Sequence, residues 1–527
     1  MADLEKQALA RISAARTWKS YVELDFKECY FFASPNRQRQ INSQVQPPIS
    51  RMLDAPELNT DQAFIIVGDF ITTIVNAFLP EAENWCERGP GMFLPGGRDG
   101  AIWKQIEDQV KAGDVKIFEA IKASNFYPEI PKAFNPDIAI GTAGMWIDRP
   151  HIHRPIVCSA IPLRELEINL GPYGEIDDRF AVRYTRNCYV EELVGEEIWG
   201  KMDPKLKKLC ADKPSDRTQV TWGFWRHWQD KSDEVWQHTV MLQNTLVHEE
   251  KLRGEGCCPL LVMRFNPTAD WPHGVGPLIQ GLPTFRQIDE FDAMRINQAA
   301  LSINPPVTYP DDSMLNLDQG LEEGMGYPMR GGGEIKAAYT VPPPEAANYQ
   351  YQEKISNLRK LFFVDHPEQT GDTPPTATQW MDELARAQRR IGTPGLSFWR
   401  EGPAQFFLRF KYLLEVAGTL PPLRVDGRAV ATMPRNPAQA AAEQQEVVKS
   451  MQLLTYLAQT FPEEFKAMVD GKSTMQEIVG KARATGLIKF RKPEDVDRMV
   501  KQLSQLTGDR PVPGGPPGGI PVPGGAA

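Results

Sequence analysis

Residues 271–312, WPHGVGPLIQGLPTFRQIDEFDAMRINQAALSINPPVTYPDD, decide how this chain is read. Gly274, Gly276 and Pro277 form an approach that does not continue a regular element, and about twenty helix-compatible residues follow, 284–303. Phe285, Ile288, Phe291 and Met294 recur every three residues. Ile296, Ala299, Ala300 and Ile303 prolong the apolar face, while Arg286, Asp289, Glu290, Asp292 and Arg295 are polar. Asn304 with Pro305 and Pro306 ends the helix, because a residue before proline is pushed out of the α region and proline brings no donor.

Beyond that stop the chain changes character. Val307-Thr308-Tyr309 and residues 335–341 are short strand-like runs, separated by a segment holding Gly320, Gly324, Gly326 and Gly331-Gly332-Gly333. A second helix is expected over 346–363, where Tyr351, Ile355, Leu358 and Phe362 stand at offsets 0, 4, 7 and 11 and so share one face, with Lys354, Arg359 and Lys360 off it. Two helices of similar length joined by a small β-rich cap predict an out-and-back stalk that projects from the body.

Outward from the stalk, 527 residues exceed one ordinary domain, so several modules sharing a body are expected. An apolar share of 41% with 24% charged residues is that of a soluble globular protein. The first eighteen residues are charged and helix-like, without an apolar core of signal-peptide length. The longest apolar stretch, 63–79, is interrupted by Asp69 and two threonines, which argues against membrane insertion. Seven cysteines without a repeated spacing argue against a disulfide scaffold, and adjacent Cys257 and Cys258 read as apolar fillers. His151 and His153 would share one face of a strand, but no acidic or Cys partner sits at a ligand-like spacing, so a loop or edge-strand pair is the preferred reading.

Residues 4–33 read as a charged helical arm whose Trp18, Tyr21, Phe26 and Tyr30 dock on the body. Residues 99–124 read as an amphipathic helix with Ile102, Ile106, Val110, Val115, Phe118 and Ile121 on or near one face. From 155 to 264 the pattern shifts to alternation, as in Phe180 to Thr185 and Val235 to Leu242, which predicts an antiparallel sheet with helical insertions. Trp222, Trp225 and Trp228 would serve as a base-stacking platform or, as strand-rich bodies favour, as core or subunit interface. After the stalk, residues 364–375 (VDHPEQTGDTPP) form a polar loop, followed by a helix over 377–417 with a break at 392–395. Residues 436–506 read as all helix, with Val447, Met451, Leu454 and Leu457 on one face. The last twenty residues are Pro and Gly repeats that cannot bury a core and are expected to be disordered.

These residues carry a resemblance. The chain resembles the portal (head-to-tail connector) proteins of short-tailed bacteriophages. Residues 62–85 are similar to the family's early apolar helix closing in a Pro and Trp element. Ser124-Asn125-Phe126-Tyr127 followed by Ile140-Gly141-Thr142-Ala143-Gly144 resembles its "snFy … fGtaa" pattern. Residues 271–277 with Asn304-Pro305-Pro306 resemble its "YGrGP … PP" frame, and residues 375–381 the start of its long helix after the stalk. Together the matches span roughly residues 10 to 505 in the family's order.

The resemblance implies a mainly helical α+β ring subunit. Its parts would be an N-terminal arm and wing (1–270), an ascending stem helix (271–303), a clip (304–345), a descending stem helix (346–363), a tunnel loop (364–376), a broken tunnel-to-wing helix (377–433), a helical crown (434–507) and a disordered tail (508–527). Tyr309, Gly326, Tyr327, Arg330 and Lys336 would dock partners in the clip. Asp365, His366, Glu368, Gly371 and Asp372 would form the tunnel loop, as a steric valve or as a plain surface connector. Phe285, Ile288 and Phe291 would make the subunit interface. Lys354, Arg359 and Lys360 would face the channel, or else lie on an ordinary solvated face or in inter-subunit ion pairs. The implied partners are further copies of the chain in a ring of twelve, double-stranded DNA passing non-specifically, the terminase large subunit, a tail adaptor protein, and capsid and scaffolding proteins, with no membrane. The implied place is the virion's portal vertex, after assembly in the host cytoplasm.

Enzymatic readings find no footing in the sequence. Gly471-Lys472-Ser473 has the end of a phosphate-binding loop, but the glycine required five residues earlier is Lys466, and no strand precedes it. Gly274-Val275-Gly276 lacks the third glycine of a dinucleotide site. Neither G-x-S-x-G nor H-E-x-x-H occurs, and no catalytic residue, metal or cofactor is expected. The net charge of −9 bears on DNA: a ring of twelve would carry roughly 12 × −9 = −108, so a duplex would pass without the adhesion that counterion release gives a basic groove. A non-channel scaffold that recruits a protein through its helical hairpin is the other reading.

Overall fold

The computed structural model describes residues 2–35, 58–92, 94, 100–149, 156–229, 234–310, 324–329, 336–337, 345–364, 395–421, 430–434, 450–456, 474 and 478. The chain forms two compact units, Met1–Pro437 and Ala438–Ala527. In the second, residues 450–456 are helical, with Met451 and Tyr456 exposed and Leu454 half-buried.

The first unit opens with helices Ala2–Ser20 and Glu23–Ala33. The expected arm is therefore two helices, and it docks unevenly. Phe26 and Tyr30 are buried, whereas Tyr21 is 70% exposed and, with Trp18, only edges onto the Trp271 ring. Helix Gln62–Phe78 buries Ile66, Val67, Phe70, Ile71 and Ile74 along one face. Helix Ala101–Ala123 buries Trp103, Val110, Ile117 and Ile121, spaced seven and four residues apart. Ile102 and Val115, expected on that face, are exposed because each lies roughly 100° or more off this line.

The strands form two antiparallel sheets in the region where alternation was read. β1 (Cys86–Pro90) stands apart; β2 (Thr142–Asp148), β3 (Val157–Ile161), β4 (Leu166–Leu170), β5 (Ile176–Arg186), β6 (Arg217–Arg226), β7 (Val235–Leu242), β8 (Thr245–Arg253) and β9 (Leu260–Arg264) follow. One sheet has the order β3-β2-β9 and the other β4-β5-β6-β7-β8. Short helices Val190–Val194, Glu196–Lys201 and Pro204–Asp212 are the helical insertion, between β5 and β6. Trp222 and Trp225 are an odd number of residues apart on β6, so they bury on opposite faces, in separate clusters. Trp228 lies past the strand end under the Arg226 guanidinium. The three indoles form no common platform, and Trp222 and Trp225 are core residues.

Three long helices complete the unit: Pro277–Ile303, Glu345–Leu361 and Pro403–Val416. The largest core gathers Phe70, Trp85, Phe126 and Phe265 with Phe285 and Phe362 from the hairpin and Phe398, Phe406, Phe407 and Phe410 from beyond it. Ring contacts such as Phe126 to Phe406 at 5.2 Å and Phe70 to Phe362 at 5.7 Å tie these sequence-distant parts together. β13 (Val430–Pro434) pairs antiparallel with β1, a partnership the sequence does not announce. Of the broken helix, residues 395–401 are helical and the described interruption falls at Gly402, before Pro403 starts the next helix; the break expected at 392–394 lies outside the described residues.

Candidate functional site

The hairpin of Pro277–Ile303 and Glu345–Leu361 has its base in the core and its upper part exposed, and that base is locked to the body by glycines. A Cβ on Gly276 would sit 2.1 Å from the Ala139 carbonyl oxygen, and one on Gly274 would sit 2.1 Å from that of Gly141. Gly141 itself has φ +137, a conformation other residues rarely adopt. The close approach allows a set of backbone bonds: Gly276 N–H donates to Ile140 O at 2.8 Å, Val275 N–H to Asn266 O at 3.1 Å and Phe265 N–H to Gly141 O at 2.9 Å. Gly274 N–H donates to Thr142 Oγ1 at 3.0 Å. The Gly-Val-Gly that fails as a nucleotide motif therefore has a positioning task. The helix also begins earlier than expected, at Pro277, because proline is well placed at a first helical position and Gly276 stays extended. His273, beside this knot, is fully buried with neither ring nitrogen hydrogen-bonded, and burial pushes its pKa down to about 3.

Along the shaft, burial changes with height. Phe285 and Ile288 are 0% exposed, Phe285 packing between Phe32 and Phe362 at ring distances of 6.2 and 5.9 Å. The single chain thus consumes the surface expected to face a neighbouring subunit at Phe285 and Ile288, and Phe291 is half-buried against the same core. This corrects the sequence expectation, since periodicity marks an apolar face without saying which chain covers it. Residues 285, 296 and 303 are eleven and seven apart, three turns and two turns, so they fall on one line of the helix. Yet Ile296 is 56% and Ile303 85% exposed. The apolar line continues beyond the point where the body stops covering it.

Polar contacts fix the two helices and their collar. Tyr351 Oη donates to Asp292 Oδ2 at 3.2 Å, and the Arg295 guanidinium lies over the Tyr351 ring at 4.8 Å. Asn59 and Thr60 N–H groups donate to Asp289 Oδ1 at 2.7 and 3.1 Å, and Arg286 pairs with Glu28. Tyr351, Ile355, Leu358 and Phe362 are buried as their spacing predicted. Lys354 is half-buried and donates to Gln287 Oε1 at 2.5 Å, while Arg359 and Lys360 are exposed. The helix closes at Phe363, whose φ of +59 turns the chain so that Val364 N–H reaches Arg359 O at 2.9 Å.

At the far end, β10 (Val307–Pro310) pairs parallel with β11 (Gly326–Met329) and antiparallel with β12 (Lys336–Ala337). Tyr309 thus stands opposite Pro328, Gly326 opposite Val307, and Tyr327 and Lys336 both opposite Thr308. Asn304 accepts the Gly324 N–H through its carbonyl at 3.0 Å, joining the helix stop to the returning chain. Arg330, the loop residues Asp365, His366, Glu368, Gly371 and Asp372, His151 and His153, and Gly471 to Ser473 lie outside the described residues. Among the described residues no helix is long and apolar enough to cross a membrane.

A family model described as bacteriophage head to tail connecting protein matches residues 5–486, nearly the whole chain. Among curated proteins, none matches.

Proposed function

The chain belongs to the bacteriophage head-to-tail connecting proteins, structural components of the virion that join capsid and tail, and on that premise we propose that its copies close into a ring through which the genome is packaged and ejected. The observation that carries this reading is the apolar line Phe285, Ile296, Ile303, covered at its base by the chain's own core and bare above it. Covering Ile296 and Ile303 would add roughly 1–3 kcal/mol each, and a different face of a neighbouring copy's hairpin is the natural cover, since a closed ring is built from heterologous contacts. The glycine-locked base sets the direction in which each shaft leaves the body, as a closed ring requires of identical subunits.

In this reading residues 304–345 are the clip that meets the terminase large subunit and then a tail adaptor protein, with Tyr309, Gly326, Tyr327, Arg330 and Lys336 as its contact residues. Residues 364–375 narrow the bore as a valve. They hold Asp365, Glu368 and Asp372 and no Lys or Arg, so they cannot grip phosphate. Lys354 donates to Gln287 Oε1, and Arg359 and Lys360 lie exposed on the same descending helix, where a passing duplex would meet them. Deleting residues 320–333 tests the clip: rings should still assemble while DNA packaging is lost, and normal packaging by that mutant would exclude the docking role.

A further inference from the structure

A second chemical feature lies away from the hairpin, on the five-stranded sheet. β7 and β8 are joined by a two-residue turn, Gln243-Asn244, with φ +47 and +67, the left-handed pair that a tight hairpin demands. The turn and a β-bulge at Val247, between the Met241–Leu246 and Val240–His248 pairs, together fix the register. His238 stands opposite Glu250, and His248 opposite Val240. His248 and Glu250 are two apart on β8, and His238 and Val240 two apart on β7, so His238, His248 and Glu250 project from the same face of the sheet. One ligand atom from each of the three lies within 4.8 Å of the others.

We propose that His238, His248 and Glu250 bind one divalent transition-metal ion, Zn²⁺ foremost. The donor set is two imidazole nitrogens and one carboxylate, which suits zinc and its first-row neighbours and not the oxygen-seeking Mg²⁺ or Ca²⁺. His238 is prepared for the task. Its ring is stacked on Phe224 of β6, centroids 4.6 Å apart and planes within 4°, and its buried Nε2 has no hydrogen-bond partner. An imidazole nitrogen held in place, shielded and unpaired is costly unless something takes its lone pair.

Its neighbours complete the arrangement. His248 Nε2 is 3.7 Å from Glu250 Oε2, and the His248 ring meets the His238 ring edge-on at 5.8 Å. Tetrahedral zinc with bonds of about 2.1 Å needs ligand atoms roughly 3.4 Å apart. Closing from 4.8 Å therefore asks at most about 1.4 Å of side-chain movement, which exposed Glu250 and the mostly buried His248 share by rotation. Arg409 also acts on His238, but its guanidinium is engaged by Ile147 O at 2.9 Å, Cys257 O at 2.6 Å and Asp148 Oδ1 at 3.0 Å. The Glu250 carboxylate offsets the added positive charge. Bound metal would clamp the last strand of the sheet, β8, to β7 and leave a fourth position for water.

The test uses full-length protein stripped with chelator, then titrated calorimetrically with ZnCl₂ and, in parallel, with CoCl₂ while recording its visible spectrum. One Zn²⁺ per chain should bind, the melting temperature should rise, and Co²⁺ should show tetrahedral bands without a thiolate charge-transfer band. His248→Gln and Glu250→Gln each replace one ligand with a polar side chain of similar size, and each should weaken binding roughly tenfold or more. Cys188→Ser, at the exposed cysteine, should leave binding unchanged. Absence of binding at micromolar Zn²⁺, a thiolate band, or affinity unaffected by His248→Gln would each overturn the site.

Discussion

Gly276→Ala isolates the anchor at the base of the shaft. Gly276 has φ −74 and ψ 169, values alanine adopts freely, so the substitution carries no backbone strain of its own. Its cost is contact alone. The new Cβ would lie 2.1 Å from Ala139 O and 2.7 Å from Ile140 O, both backbone atoms that cannot rotate away. Restoring van der Waals distance moves the two segments about 1 Å apart, which stretches the Gly276 N–H to Ile140 O bond from 2.8 Å beyond hydrogen-bonding range. The lost bond and its two stranded groups cost about 1–3 kcal/mol, and the shifted packing about 1–3 kcal/mol more, so destabilisation of roughly 2–6 kcal/mol is expected. Gly281→Ala is the control in the same helix. Its Cβ would meet only side-chain ends, Leu358 Cδ2 at 3.1 Å and Phe285 Cε2 at 3.2 Å, and alanine's helix preference offsets the crowding by about 1 kcal/mol. Guanidinium unfolding followed by tryptophan fluorescence should show a large loss for Gly276→Ala and a change within about 1 kcal/mol for Gly281→Ala. Equal stability of the two variants would refute the anchor.

Four further outcomes are expected. Ile296→Asp with Ile303→Asp should weaken ring assembly in sedimentation runs while the unfolding free energy of the subunit falls by no more than about 2 kcal/mol, because Ile303 is largely and Ile296 half exposed in the single chain. Phe285→Ala should instead cost about 3–5 kcal/mol in the subunit itself, measured by the same unfolding titration; a variant that assembles poorly at undiminished subunit stability would return Phe285 to the interface. His273 has a folded pKa of about 3, below its unfolded value near 6.5, so its contribution is fully present above pH 6.5 and is lost as pH falls toward 3. Between pH 7 and pH 4, wild type should therefore lose about 3 kcal/mol more stability than His273→Phe, and parallel losses would contradict this. Removing residues 368–372 should leave assembly and motor docking intact but let packaged DNA leak out; genome-length retention at an unchanged packaging rate would exclude the valve.

Local periodicity made much of the hairpin legible. Tyr351, Ile355, Leu358 and Phe362 are buried where a 3.6-residue repeat put them, and the alternation over 155–264 became antiparallel strands. What failed depended on partners distant in the chain. Gly274 and Gly276 read as helix breakers, and only the approach of residues 139–142, some 130 residues earlier, shows why no side chain fits there. Phe285 and Ile288 were correctly apolar, but spacing cannot distinguish burial under Phe32 of the same chain from burial under a neighbour. β1, Cys-Glu-Arg-Gly-Pro, lacks any strand alternation and exists because β13 supplies its hydrogen bonds from more than three hundred residues away. His151 and His153 have a ligand-like spacing along the chain, whereas His238, His248 and Glu250 converge only through the register of two strands.

The mass of the purified full-length protein in native buffer tests the ring most directly. At micromolar concentration, native mass spectrometry or light scattering should find one closed assembly, which for twelve copies of 59.3 kDa weighs roughly 710 kDa, and particles imaged end-on should show a central bore. A chain that remains monomeric at 59.3 kDa, with the hairpin nonetheless folded, would contradict the ring and favour a scaffold that recruits its partner through the hairpin alone.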